Sequence, residues 1–112
     1  MITPETAKKL KEAGLIWKPR TGDVFIPEDF PDGVFVNSGD RIPEPGDVWL
    51  PDVEEMVNRI TGLGWDMNIS FRNGKCRVRL RKNEKTTRFA GRAEDFADLV
   101  GKSLLYALKA KK

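Results

Sequence analysis

The sequence predicts an α+β fold: a two-layer sandwich in which a three-stranded, or slightly larger, antiparallel sheet is packed by two or three helices. Three observations predict it. Asn73-Gly74 sits between two runs of alternating polar and apolar residues, a strong hairpin signal because both turn residues tolerate positive φ. The stretches on either side of that hairpin region, from Asp52 and from Arg92, space their apolar residues as helices do. The chain has 112 residues, the length of one domain with one core. The expected organisation is a single α+β domain over 1–112. In it, 1–50 form an N-terminal helix and a proline-rich wrapped segment, and 51–110 form a helix-β-β-β-helix core.

The first element is a short helix. Thr3 suits the N-cap, Pro4 the first helical position and Glu5 the positive end of the dipole. Ala7, Leu10 and Ala13 lie on one stripe and Gly14 is the stop, after which Leu15, Ile16 and Trp17 form an apolar plug. Six of the seven prolines then fall in 18–51, which restricts Val24–Ile26, Val34–Val36 and Val48–Leu50 to short or edge strands. A compact wrapped segment is expected there instead of a central sheet. One phrase recurs in it: Gly22-Asp23-Val24-Phe25-Ile26-Pro27-Glu28 returns as Gly46-Asp47-Val48-Trp49-Leu50-Pro51-Asp52, a turn followed by a strand.

From Pro51 the pattern sharpens. Val53, Met56, Val57, Ile60 and Leu63 define a second helix with Asp52, Glu54 and Glu55 in its first turn. A two-residue loop at Asn73-Gly74 then sets a complete register. Phe71 faces Cys76, Ile69 faces Val78 and Met67 faces Leu80 on one side, while Ser70 meets Arg77, Asn68 meets Arg79 and Asp66 meets Arg81 on the other. A third strand follows Asn83-Glu84, with Thr87 and Phe89 inward beside Leu80 and Val78. The last helix runs from about Arg92, with Ala93, Phe96, Ala97, Val100, Leu104, Ala107 and Leu108 as its apolar stripe. Both later helices should cover the sheet face bearing Trp65, Met67, Ile69 and Phe71, leaving the arginine-rich face to solvent.

Composition narrows function. The chain has no histidine, which removes Ser-His-Asp and Cys-His nucleophilic chemistry, the usual zinc sites and imidazole acid–base work. Cys76 is the only cysteine, so no intramolecular disulfide forms, and its place opposite Phe71 marks it as a buried apolar residue. No apolar run is long enough to span a bilayer, and the charged first residues lack a signal peptide's apolar stretch. A cytoplasmic, non-catalytic protein with no cofactor and no metal is expected. Charge is uneven: 1–62 carry seven Lys/Arg against twelve Asp/Glu, a balance of −5, and 63–112 carry thirteen against five, a balance of +8. The halves either attract each other or present the basic half to an anionic partner.

Three groups of residues are candidate sites. Arg72, Lys75, Arg77, Arg79, Arg81 and Arg88 should project from one side of the sheet, where arginine forks suit phosphate oxygens. A solvated face that discourages edge pairing is the plainer expectation for them. Glu28, Asp29, Asp32 and Asp40 could attract a hard cation, but their spacing matches no EF-hand loop and proline-rich turns use Asp for local hydrogen bonds. Trp17, Trp49 and Trp65 could line a pocket, although their apolar contexts favour core packing.

Several of these segments carry a resemblance. Lys11-Glu12-Ala13-Gly14-Leu15-Ile16-Trp17, the Gly22-Asp23 phrase, Trp49-Leu50-Pro51 and Phe89-Ala90-Gly91 leading into Glu94-Asp95 resemble small bacterial and prophage proteins of the phage α/β/α sandwich group. The resemblance implies an α/β sandwich and a bacterial or phage origin, and transfers no catalytic residue. The helix–three-strand–helix order is also similar to the double-stranded RNA-binding domain. That family places lysines at the start of its last helix, where this chain has Glu94 and Asp95. The function expected from the sequence is an interaction or accessory domain binding a protein partner or a second copy of itself. The alternative is a nucleic-acid-binding module using the arginine-rich face.

Overall fold

The computed structural model describes residues 1–39 and 42–111. Among the described residues three helices are present: α1 (Pro4–Glu12), α2 (Val53–Gly62) and α3 (Phe96–Ala110), the last preceded by a 3-10 turn, Ala93–Asp95. Among the same residues six strands form two antiparallel sheets. β1 (Val24–Ile26), β2 (Phe35–Val36) and β3 (Val48–Leu50) are ordered β2-β1-β3; β4 (Asp66–Arg72), β5 (Lys75–Lys82) and β6 (Lys85–Arg92) are ordered β4-β5-β6. The α+β sandwich is as expected, with a second three-stranded sheet in addition.

Capping sets the helix starts. The Thr3 hydroxyl accepts from the Thr6 N–H at 3.2 Å, and the Asp52 carboxylate accepts from the Glu55 N–H at 2.8 Å. Each cap stabilises its helix by about 1 kcal/mol. The last helix has no side-chain cap of its own and starts through the 3-10 turn after Arg92.

In the large sheet every expected pair forms: Asp66↔Arg81, Met67↔Leu80, Asn68↔Arg79, Ile69↔Val78, Ser70↔Arg77, Phe71↔Cys76 and Arg72↔Lys75. Asn73 and Gly74 take φ of 52° and 74°, as a type I′ turn requires. Val78↔Phe89 and Leu80↔Thr87 place the third strand as the alternation predicts. Cys76, Val78 and Leu80 are fully buried, while Arg77, Arg79 and Arg81 between them are exposed. Burying Val78 and Leu80 stabilises the fold by roughly 1.5–3 kcal/mol each, which fixes the face and hence the register. Phe71 departs from expectation. It lies on the helix side but at the end of the sheet, 56% exposed, in an edge-to-face pair with Phe96 at a centroid distance of 5.1 Å.

The three short strands expected in the proline-rich segment are present, and they pair into a sheet of their own where a wrapped segment was expected. Its two copies of the repeated phrase are pairing partners: Val24↔Leu50, Phe25↔Trp49 and Ile26↔Val48. Pro27 and Pro51 stand just beyond the ends of β1 and β3, so no strand loses a ladder donor. The small sheet and the large one share one core. Ile2, Ala7 and Leu10 join Ile26, Val48 and Leu50, and these join Met56, Ile60, Trp65, Val100 and Leu104. α2 and α3 lie on the large sheet, and α1 packs on both α3 and β3. The apolar plug after α1 is partial, since Ile16 is 66% exposed.

Candidate nucleic-acid interface

The helices cover only one side of the large sheet. Its other side carries twelve side chains in four cross-strand rows: Arg72–Lys75–Arg92, Ser70–Arg77–Ala90, Asn68–Arg79–Arg88 and Asp66–Arg81–Thr86. All are exposed. The structure therefore brings all six predicted cations, Arg72, Lys75, Arg77, Arg79, Arg81 and Arg88, onto one surface. It adds Arg92, which sequence reasoning assigned to the start of the last helix. Strand parity was the missed signal: Arg88, Ala90 and Arg92 alternate with Phe89 and Gly91 to the end of β6.

Seven cations and one carboxylate share this face. Along β5, cations two residues apart stand about 6.7 Å from one another. Across it, Arg79 directly opposes Arg88, and Lys75 stands between Arg72 and Arg92. None of the six predicted cations has an ion-pair or side-chain hydrogen-bond partner among the described residues. Arg92 alone is paired, with Glu94 at 3.2 Å. Short side chains give the face relief. Asn68, Ser70, Arg77, Arg79 and Arg88 surround a hollow of about 200 Å³, and Ser70, Arg72, Asn73, Lys75 and Arg77 surround another of about 360 Å³. Glu94 and Asp95 lie in the 3-10 turn at the Arg92 end, so the carboxylates stand beside the face and not within its centre.

Other candidates fall elsewhere. Lys82 and Lys85 belong by parity to the helix side. The Lys82 ammonium donates to the Leu63 carbonyl at 2.9 Å and lies 5.9 Å from the Trp65 ring centre, at an open groove of about 880 Å³. The three tryptophans do not all line one pocket. Trp17 and Trp49 border a hollow of about 170 Å³, and Trp65 borders the groove beside Lys82. Trp49 and Trp65 are buried, and Trp17 is half-buried with its indole N–H donating to Asp23 at 2.9 Å. Glu28, Asp29 and Asp32 are exposed, and Asp40 lies outside the described residues. Among the described residues no group of three or more Cys, Asp or Glu side chains could hold a metal ion. Cys76 is buried, and burial pushes its thiol pKa up. No helix is long and apolar enough to cross a membrane among the described residues.

No family model matches the chain, and no curated protein and no solved structure matches it either.

Proposed function

We propose that this chain is a non-catalytic interaction domain, and that the outer face of β4–β6 is its binding surface, taking the phosphate backbone of a nucleic acid. One observation carries this: six cations with no ion-pair partner among the described residues, projecting from a single sheet face, with Arg79 set directly against Arg88. Directly opposed like charges destabilise a sheet. A surface shaped for solvation alone intersperses both signs. A polyanion offsets the repulsion and releases counterions, and each phosphate neutralised steepens the salt dependence by about 0.9 in the log–log slope.

The test is an NMR titration of labelled protein with short DNA and RNA, duplex and single-stranded, at low salt. Shifts confined to 72–92, reversed by salt and lost in the Arg77→Ala/Arg79→Ala/Arg81→Ala variant, are expected. Silence at high ligand concentration would remove nucleic acid as the partner.

A protein partner, or a second copy, is favoured by a different surface. Around the edge strand β2, Phe30, Val34, Phe35 and Val36 are exposed. Apolar residues gathered at an open sheet edge mark an interaction site more often than scattered ones do. Sedimentation at rising protein concentration tests self-association through this edge.

A further inference from the structure

The backbone reading of the arginine face leaves its central side chains unexplained. Asn68 and Ser70 on β4 and Arg77 and Arg79 on β5 lie in the two middle rows, with Arg88 beside Arg79 on β6 and with Arg72, Lys75, Arg92 and Arg81 in the two end rows. The cations outside this group of four suit phosphates. The four are side-chain types that read base edges: Arg forks match the O6 and N7 of guanine, Asn matches the N6 and N7 of adenine, and Ser accepts or donates to either. The hollow they border with Arg88, of about 200 Å³, leaves these groups accessible between their neighbours.

Dimensions and absences select the ligand. The four stand on one two-stranded ribbon, β4 and β5, whose strands are about 4.8 Å apart. The major groove of B-form DNA is about 12 Å wide and admits a two-stranded β-ribbon, whereas the major groove of A-form RNA is deep and too narrow for side chains to read. No aromatic side chain stands in the four rows, so unpaired bases find nothing to stack on. We infer that this face enters the major groove of double-stranded DNA, with Asn68, Ser70, Arg77 and Arg79 on base edges and the surrounding cations on the flanking phosphates.

This inference rests on the nucleic-acid reading above, and one experiment separates the two. Anisotropy titrations at fixed salt compare a short mixed-sequence DNA duplex, the RNA duplex of the same sequence, and the DNA duplex with every guanine replaced by 7-deazaguanine. The last keeps all phosphates and loses only a major-groove acceptor. The expected result is a preference for the unmodified DNA of roughly tenfold or more over both others, the size of one good bidentate contact. Arg77→Gln/Arg79→Gln removes both forks assigned to guanine and should lose sensitivity to 7-deazaguanine while the flanking phosphate contacts keep binding salt-dependent. Equal binding of all three duplexes would overturn the major-groove assignment and leave backbone binding intact, and no binding to any would overturn both.

Discussion

Asp23 and Asp47 close the same turn at two places in the chain. The Oδ2 of each accepts from the N–H three residues before it, Arg20 at 2.8 Å and Glu44 at 3.0 Å. Each also donates its own N–H to the carbonyl of that same residue, at 3.1 and 3.0 Å. The strands that follow these turns, β1 and β3, pair with each other. The repeated Gly-Asp phrase is therefore a repeated piece of hydrogen bonding, and its product is the small sheet.

The two carboxylates should differ in weight. Asp47 is buried and its Oδ1 also accepts from the Glu28 N–H at 2.9 Å, tying the end of β1 to the start of β3. Asp47→Ala leaves the Glu28 and Glu44 donors without their acceptor, a loss of about 1–3 kcal/mol. Asp23 serves the exposed Arg20 N–H and the Trp17 indole. Water can take over part of that, so Asp23→Ala should cost less, under about 1.5 kcal/mol. Urea denaturation of both variants checks the order, with an unchanged m-value required for the comparison. Equal costs would mean the cross-strand bond to Glu28 contributes nothing.

Gly101 on α3 lies close against Thr6 on α1. A Cβ there would stand 2.9 Å from the Thr6 Cγ2 and 3.4 Å from the Ile2 Cγ2. Alanine would favour the helix by about 1 kcal/mol, but overpacking a filled core costs about 1–3 kcal/mol. Gly101→Ala should therefore be neutral to destabilising, and adding Thr6→Ser, which deletes the offending methyl and keeps the hydroxyl, should make it stabilising relative to Thr6→Ser alone. Thermal melts of the four proteins give the coupling directly.

These contacts show how far the sequence could be read. The hairpin was fully legible because Asn73-Gly74 fixed a loop length, and two independent side-chain sets then agreed on one register. The cap at Thr3 was legible as a short polar residue before an apolar period, whereas Asp52, read as part of the first turn, is the cap of its helix. The three short strands of the small sheet were legible but their pairing was not, since strands of two and three residues show no alternation and the surrounding prolines argued against a central sheet. The six cations were legible as a face through parity alone. Arg92 was lost because a 3-10 turn, and not a helix, follows it.

Asp98 links the two ends of the chain. Its Oδ1 accepts from the Thr3 N–H at 3.0 Å and the Thr3 hydroxyl at 2.9 Å, and Lys102 lies 3.8 Å from its Oδ2. Burial works to raise its pKa, but the bonds from Thr3 and Thr6 and the Lys102 charge outweigh it, so the folded value lies below the ordinary carboxylate range. A folded pKa below the unfolded one means the stabilisation is present above the unfolded value and is lost as pH falls through the folded one. Asp98→Asn should accordingly lose stability at neutral pH and show a flatter decline between about pH 4 and lower, seen as converging denaturation midpoints in acid. Curves that stay parallel through that window would show that Asp98 titrates alike in both states.

The Arg79–Arg88 pair offers a test of the binding face that needs no ligand. The two stand directly opposite on β5 and β6, whereas Arg81 stands between Asp66 and Thr86. Threonine is a good strand residue, so replacing arginine by threonine removes charge without a propensity cost. Arg88→Thr should stabilise the protein at low salt by about 0.2–1 kcal/mol through relief of like-charge opposition. Arg81→Thr should be neutral or destabilising, because it gives up attraction to Asp66. At molar salt the screening length falls to about 3 Å, and the gain from Arg88→Thr should vanish. A wild-type protein that pays this repulsion at rest recovers it when phosphates dock, so Arg88→Thr should also weaken the salt dependence of nucleic-acid binding by about one unit of slope. If Arg88→Thr and Arg81→Thr behave alike at every salt concentration, the repulsion is already screened by water. An anionic partner then has no stored repulsion to relieve.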